Sequence, residues 1–207
     1  MTNVYLNSKK LNKELQPNQK LSEVYDMIMS EYAHPDDVFS KILLDGKTFS
    51  DQEEAQFLNQ NLDQFANVEF DIKNKFDLAF EALDCGSEFI DSIISKIHKT
   101  AAYYQAGSLE SGDLFFSQTI ESLDLFIQLL SNVHHTLRGK YDQALQLNKT
   151  FHQLEIHLLS IIKAIVPAKE KNDMVMLSDL LEYELIDNLT QWKITAIPEM
   201  KSIQNNG

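Results

Sequence analysis

Apolar residues recur along this chain with two different periods, and the change between them falls near residue 74. Beyond that point the spacing is helical throughout. Leu147, Phe151, Leu154, Leu158, Ile161, Ile162 and Ile165 follow steps of three and four, which predicts one face of an α-helix closed by Val166 and Pro167. Leu177, Leu181, Leu185, Leu189 and Trp192 form an i, i+4 row opposite Glu182, Asp187 and Gln191, with Asp173 as its N-cap and Pro198 beyond its end. These two arms cannot bury both stripes against each other alone, so further helices must complete the core. Phe76, Ala79, Phe80, Leu83, Ile90, Ile93, Ile94, Ile97, Ala101 and Tyr104 predict a long helix, with Cys85-Gly86-Ser87 as the place for a bend and Ala106-Gly107-Ser108 as its stop. Ser111-Gly112-Asp113 opens another, with Phe116, Ile120, Leu123, Ile127, Leu130 and Val133 on one side and an end near Arg138-Gly139. Residues 74–207 thus predict an antiparallel α-helical bundle of about four main helices.

Residues 1–73 have a different texture. Asn3-Val4-Tyr5-Leu6 and Leu11 to Leu15 predict two short strands joined through Asn7-Ser8-Lys9-Lys10. Leu21, Val24, Tyr25, Ile28 and Met29 predict a helix started by Asn18 or Ser22 and finished before His34-Pro35. Val38 to Leu44 is an apolar, β-branched run closed by Asp45-Gly46, a strong hairpin signal. Ser50-Asp51-Gln52-Glu53 has the pattern of a capping box opening a short helix through Leu58. Val68-Glu69-Phe70-Asp71-Ile72 alternates as a half-buried strand does. The fold class expected is α+β, with domains at 1–73 and 74–207.

Charge narrows the partners. The net charge is −13, spread over both parts, with 7 basic against 13 acidic residues in 1–73 and 11 against 18 in 74–207. No basic run exceeds Lys9-Lys10, so nucleic acid and anionic membrane are disfavoured. No segment approaches 18 consecutive apolar residues, and no signal-like run follows the first charges, so a cytoplasmic protein without membrane insertion is expected. In that setting the acceptor patterns Asn148-Lys149-Thr150 and Asn188-Leu189-Thr190 carry no glycan. The single cysteine, Cys85, forms no internal disulfide and reads as a small buried apolar residue rather than a nucleophile.

The order strand, strand, helix, strand, short helix, strand in residues 3–73, with its Asp45-Gly46 turn, resembles the β-grasp, or ubiquitin-like, fold. Carriers of that fold end in Gly-Gly, whereas Lys73-Asn74-Lys75-Phe76 follows here, and its ferredoxins need cysteines that residues 1–73 lack. The resemblance therefore implies a docking module. The two parts in succession are also similar to uncharacterised bacterial proteins. His135-Thr136-Leu137-Arg138-Gly139 resembles the His-x-Leu-Lys-Gly motif of histidine phosphotransfer domains, which implies His135 as phosphoacceptor and Arg138 as its electrostatic helper. Here Gly139 also reads as the residue that closes a helix, under which His134 and His135 are ordinary polar residues of a last turn.

Other chemistry is sparse in the sequence. His152 and Glu155 share a helix face but His157 is rotated away, and no Glu-x-x-His occurs in the helical part, so no metal and no cofactor are expected. Glu182, Glu184 and Asp187 read as a solvated face. Tyr103 beside Tyr104, and Phe115 beside Phe116, point about 100° apart on a helix, so one of each pair leaves the buried stripe. Tyr103 and Phe115 are the candidate partner-binding residues, for a protein partner or a second copy of the chain. The expectation is a non-catalytic adaptor or regulatory interaction protein, with phosphotransfer through His135 as the alternative and a small-molecule-binding bundle as the third reading.

Overall fold

The computed structural model describes residues 2–49, 53, 56–147 and 149–206. Its contacts divide the chain into two compact units, 1–78 and 79–207. The fold class is α+β, a five-stranded sheet followed by long helices.

In the first unit the strands are β1 (Asn3–Leu6), β2 (Lys9–Lys10), β3 (Asp37–Leu44), β4 (Lys47–Thr48) and β5 (Asn67–Asn74). Their order across the sheet is β2-β1-β5-β3-β4, with β1 and β5 parallel and the other pairs antiparallel. The alternating strand β5 is central, and its Val68, Phe70 and Ile72 are buried. Helix α1 (Leu21–Glu31) contributes Leu21, Val24 and Ile28 to the same core, which also takes in Val4, Ile42 and Leu44. Both hairpins turn on two residues with positive φ, Asn7 and Ser8 at 47° and 63°, Asp45 and Gly46 at 50° and 77°. That geometry matches the right-handed twist of the flanking strands.

The first hairpin is tighter than its sequence suggests. Its return strand is Lys9–Lys10, and Leu11 to Leu15 is not a strand, although Leu11 N–H still reaches Val4 O at 2.8 Å. Asn7 decides this, because it accepts φ > 0 and its Oδ1 takes the Ile72 N–H at 2.8 Å, pinning the turn to the end of β5. Helix α1 starts one residue after Lys20, not at Asn18 or Ser22, and the Glu23 carboxylate accepts the Lys20 N–H at 3.3 Å. A register shift between Phe39 and Lys41 takes Ser40 out of the ladder, where its hydroxyl donates to Asp71 O at 3.2 Å, and Phe39 lies on Tyr25, ring centroids 3.8 Å apart. The capping-box pattern at Ser50 to Glu53 lies mostly outside the described residues.

Four helical arms follow: α2 (Lys75–Gln105), α3 (Leu109–Leu147), α4 (Lys149–Glu170) and α5, spanning 174–202. Asn74 Oδ1 accepts the Phe76 N–H at 2.9 Å and caps α2. Gly107, φ 72°, closes α2, with Ser108 N–H to Tyr103 O and Gly107 N–H to Tyr104 O. Asn172, φ 52°, closes α4 with the same pair of bonds, from Asp173 to Ala168 and from Asn172 to Lys169. Polar pairs link neighbours around a closed ring. Thr100 meets Thr119 between α2 and α3, Lys169 meets Asp113 between α3 and α4, Asn188 meets Leu154 between α4 and α5, and Lys193 meets Asp91 between α5 and α2.

Several local expectations are corrected. Helix α2 is continuous through Cys85, and Cys85 is exposed, because Leu83, Gly86 and Ile90 take the inward positions. Gly86 is there for proximity, since a Cβ on it would stand 3.3 Å from Ile197 Cδ1. Helix α3 does not stop at Gly139. It kinks at Tyr141, whose φ/ψ of −118° and 26° leave the helical region while its ring is held edge-on to Phe80 at 5.9 Å. The buried stripe of α3 is centred on Phe126, with Phe116 and Ile127 only half-buried. Pro167 lies inside α4 rather than at its end. The carbonyl it leaves without a helical donor belongs to Lys163, at an exposed position that water can reach.

Pro198 likewise sits within α5 rather than past it. Two π-helical stretches, Leu180–Leu185 and Trp192–Ala196, interrupt this arm, with Ile186 N–H bonded to Leu181 O and Ile197 N–H to Trp192 O. An i, i+4 row on a regular α-helix drifts about 40° per step, so Leu177, Leu181, Leu185 and Leu189 would spiral off the core. The wider turns wind the row back, and all four are fully buried.

Candidate functional site

At one end of the helical unit, where α2 passes into α3 and α4 into α5, exposed apolar groups lie beside a polar link between α2, α3 and α4. Tyr104 and Tyr103 separate there as adjacent helical residues must: Tyr104 is buried and Tyr103 is exposed. Tyr104 OH donates to Asp113 Oδ1 at 2.8 Å, and Lys169 reaches both Tyr104 OH at 3.1 Å and Asp113. The Lys169 ammonium also lies over the rings of Tyr104 and Phe116, at 5.0 and 5.5 Å. Burial raises the Tyr104 pKa, so its phenol stays protonated and donates. The Lys169 bond, then the Tyr104 bond, holds the Asp113 carboxyl below its ordinary value. Burial works against the charge on Lys169, but its bonds to Asp113 and Tyr104 outweigh that and raise its pKa. The group is a clamp on three helices.

Gly112 makes the clamp possible. A Cβ at this position would lie 2.4 Å from Cδ1 and Cε1 of Tyr104, so the ring rests directly on the α3 backbone. Outside the clamp, Tyr103 and Phe115 come together. Twelve residues apart in sequence, they stack with centroids 5.3 Å apart at 19°, and Lys99 Nζ stands 5.6 Å from the Phe115 ring centre. The fold therefore gives these two candidate residues one location, with Phe115 half-buried.

A shallow depression of ≈ 440 Å³ lies on the outer side of α5 at this end, lined by Val175, Met176, Leu180, Tyr183, Asp173, Asp179 and Glu184. Val175 and Tyr183, 75% and 70% exposed, are the two most exposed large apolar side chains among the described residues. Gln105 Nε2 donates to Glu182 Oε2 at 3.0 Å and ties this part of α5 to the end of α2. Sequence periodicity marks Val175 and Met176 only as residues off the Leu177 row, which is why the depression is not legible there.

The other polar candidates lie elsewhere. His135 and Arg138 are both exposed on α3, one turn apart, and Arg138 Nε donates to Asp142 Oδ1 at 3.0 Å. His134 turns inward and stacks on Phe151, 4.8 Å apart at 14°. Burial lowers its pKa, and the neighbouring His152 and Arg138 lower it further. His152 Nδ1 stands 3.9 Å from Glu155 Oε2, whereas His157 faces α5, 3.5 Å from Glu184 Oε2, with Nδ1 3.2 Å from Asn188 Nδ2. Among the described residues no three His, Cys, Asp or Glu side chains converge on a point where a metal ion could be held. Asn188, an acceptor pattern in sequence, is fully buried. No described helix is long and apolar enough to cross a membrane.

No curated protein and no solved structure matches the chain. Residues 2–74 match the family model described as the TP0873 N-terminal domain. Residues 81–195, more than half of the chain, match the model described as domain of unknown function DUF8042, and the chain belongs to that family.

Proposed function

We infer that the protein is a non-catalytic adaptor or regulatory module that binds another protein through the α2/α3 and α4/α5 end of its helical unit. The observation that carries this reading is the α5 depression, in which exposed Val175, Met176 and Tyr183 are bordered by Asp173, Asp179 and Glu184. An apolar centre with an acidic border suits an amphipathic segment bearing Lys or Arg at its edges. Tyr103 and Phe115 add an aromatic surface at the same end of the bundle. The N-terminal unit is read as a β-grasp module, a second docking element. Strand order β2-β1-β5-β3-β4, a parallel β1/β5 pair and helix α1 packed in the core of the sheet support that reading.

The test is binding of a labelled amphipathic Leu/Lys helical peptide to the full chain, followed by fluorescence anisotropy. Binding that weakens with salt and is lost in Tyr183→Ser and Val175→Ser, with circular dichroism unchanged, is the expected result. A peptide held equally by these variants would refute the surface. Self-association through the same face is separated by sedimentation of the chain alone, where Phe115→Ser or Tyr183→Ser would dissociate the oligomer.

Phosphotransfer through His135 is the second reading. It is favoured by the exposure of His135 on a helix that continues past Gly139, with Arg138 one turn away. Acid-labile phosphate on the chain, absent from His135→Gln, would establish it. A chain that takes no label from histidine kinases or receiver domains would remove it.

A further inference from the structure

Away from the proposed partner surface, a small cleft opens between α3, α4 and α5. Its volume is ≈ 120 Å³ and its walls are mainly Leu130, Phe151, Leu158 and Trp192, with Ser131 and Glu155 among the polar groups that line it. Trp192 is fully buried, and its Nε1–H has no hydrogen-bond partner. A buried donor left unpaired costs about 1–3 kcal/mol, so a native position that keeps one calls for an explanation. The rings of Phe126 and Phe151 stand perpendicular to the indole at 6.0 and 5.1 Å, and a ring face is at best a weak acceptor. An apolar residue in place of Trp192 would line the same wall with no such cost.

We propose that this cleft is a binding site for a small neutral single-ring molecule bearing a hydrogen-bond acceptor, a ring nitrogen or a carbonyl, which receives the Trp192 Nε1–H. Three properties of the site set that class. A dry cavity of about 150 Å³ accommodates benzene, so ≈ 120 Å³ with an open side suits one ring and little more. Walls of Leu, Phe and Trp around the indole favour a neutral group over an ion, because burying a charge against them costs its desolvation. Glu155 in the lining repels an anion in addition. One acceptor matches the one unpaired donor.

Trp192 is the single tryptophan of the chain, so its indole N–H gives one cross-peak in a nitrogen-15 correlation spectrum. The full-length protein is titrated with pyridine and, in parallel, with benzene, which has the same shape and no acceptor. Pyridine is expected to move the indole proton downfield in a saturable way, while benzene produces no downfield shift. Leu159, which lines the cleft and is 45% exposed, allows the space to be narrowed with little risk to folding. The pyridine effect should be lost in Leu159→Phe. An indole signal unmoved by pyridine, moved alike by both probes, or still moved in a folded Leu159→Phe would overturn the proposal. The pyridine and benzene contrast in the unsubstituted chain decides the matter even if that variant does not fold.

Discussion

The sheet unit and the helical unit each have to fix one register among several, and they place their polar groups differently in doing so. In the sheet unit the register is set by the backbone itself: two-residue turns at Asn7-Ser8 and Asp45-Gly46, a β3/β5 ladder, and the Asn7 side chain bonded to Ile72 N–H. A slip of one residue would turn Val68, Phe70 and Ile72 outward, so the apolar pattern alone penalises error heavily. A bundle lacks that penalty against sliding, because a helix moved one turn along its neighbour still buries its stripe of Leu and Ile. All of the buried polar side chains among the described residues, Thr100, Thr119, Ser122, Ser178 and Asn188, lie in the helical unit. Thr100 meets Thr119, Ser122 takes a bond from Lys96 at 2.6 Å, and Asn188 spans from α5 to Leu154 O at 3.1 Å. Strands here are registered by turns and ladders, while the helices are registered by a few polar contacts and by close approaches at glycine.

Removal of buried apolar volume should destabilise both units. Leu185→Ala in α5 and Val68→Ala in β5 delete fully buried side chains, and Leu185→Ala should cost about 2–5 kcal/mol, Val68→Ala somewhat less, read from chemical denaturation. If Leu185→Ala proves mild, the π turns do not hold the row in the core.

Next in size is the glycine pair. Gly112→Ala forces a methyl group into Tyr104 and should destabilise by about 1–3 kcal/mol, since the ring is clamped by Asp113 and Lys169. Gly86→Ala meets only the flexible end of Ile197 and gains helix propensity, so its effect should stay within about 1 kcal/mol of zero. Equal losses from both would show that the tyrosine clamp has no special rigidity.

Asn188→Leu separates register from stability. Its Oδ1 is buried without a partner, so an apolar replacement relieves one cost while losing the bonds to Leu154 and His157. Net stability should change by no more than about 1 kcal/mol, whereas amide exchange in α4 and α5 should quicken. Unaltered exchange would mean that Asn188 does not set the register.

The smallest effect is that of pH. Asp113 has a depressed pKa in the folded state, so its contribution is present above the ordinary carboxylate range and is lost as pH falls through the folded value. His134 is a base with a depressed pKa, so the unfolded chain binds the proton more readily and stability declines as pH drops below the ordinary histidine range. His134→Gln should flatten the decline between roughly pH 7 and 5, and Asp113→Asn the further decline below it, each by less than about 1 kcal/mol because both groups are partly solvated. The measurement is the thermal midpoint across that range.

Much of the fold is legible in the residues. The alternation at Val68 to Ile72, the Asp45-Gly46 turn and the helical stripes each state a local preference that the tertiary structure keeps, because burial of one face rewards the same pattern that marks the element. The discrepancies lie where a local signal admits two outcomes. Gly139 and Pro167 are helix stops by propensity, yet both are carried inside helices, because packing on either side outweighs a cost of about 1 kcal/mol for glycine and the missing bond falls on a carbonyl open to water. Cys85 reads as buried from its helical spacing, but Gly86 takes the inward position in close approach to Ile197 and Cys85 is exposed. The i, i+4 row of α5 carried the signal for its π turns, since no straight helix keeps four such residues on one face.

Periods, caps and turn residues are properties of a few neighbouring positions, and they determine which segments are strands and helices, where each turns, and that residues 74–207 are helical. Which residues from different segments meet is set by packing between them. Tyr103 joining Phe115, the Tyr104-Asp113-Lys169 clamp on Gly112, the acidic border around Tyr183 and the cleft beneath Trp192 each combine residues from separate turns or separate helices. A helix shifted one turn along its neighbour would keep its stripe inward yet part the contacts that join separate helices. Periodicity marks the face that each helix buries, and only the assembled bundle fixes which residues of two such faces meet.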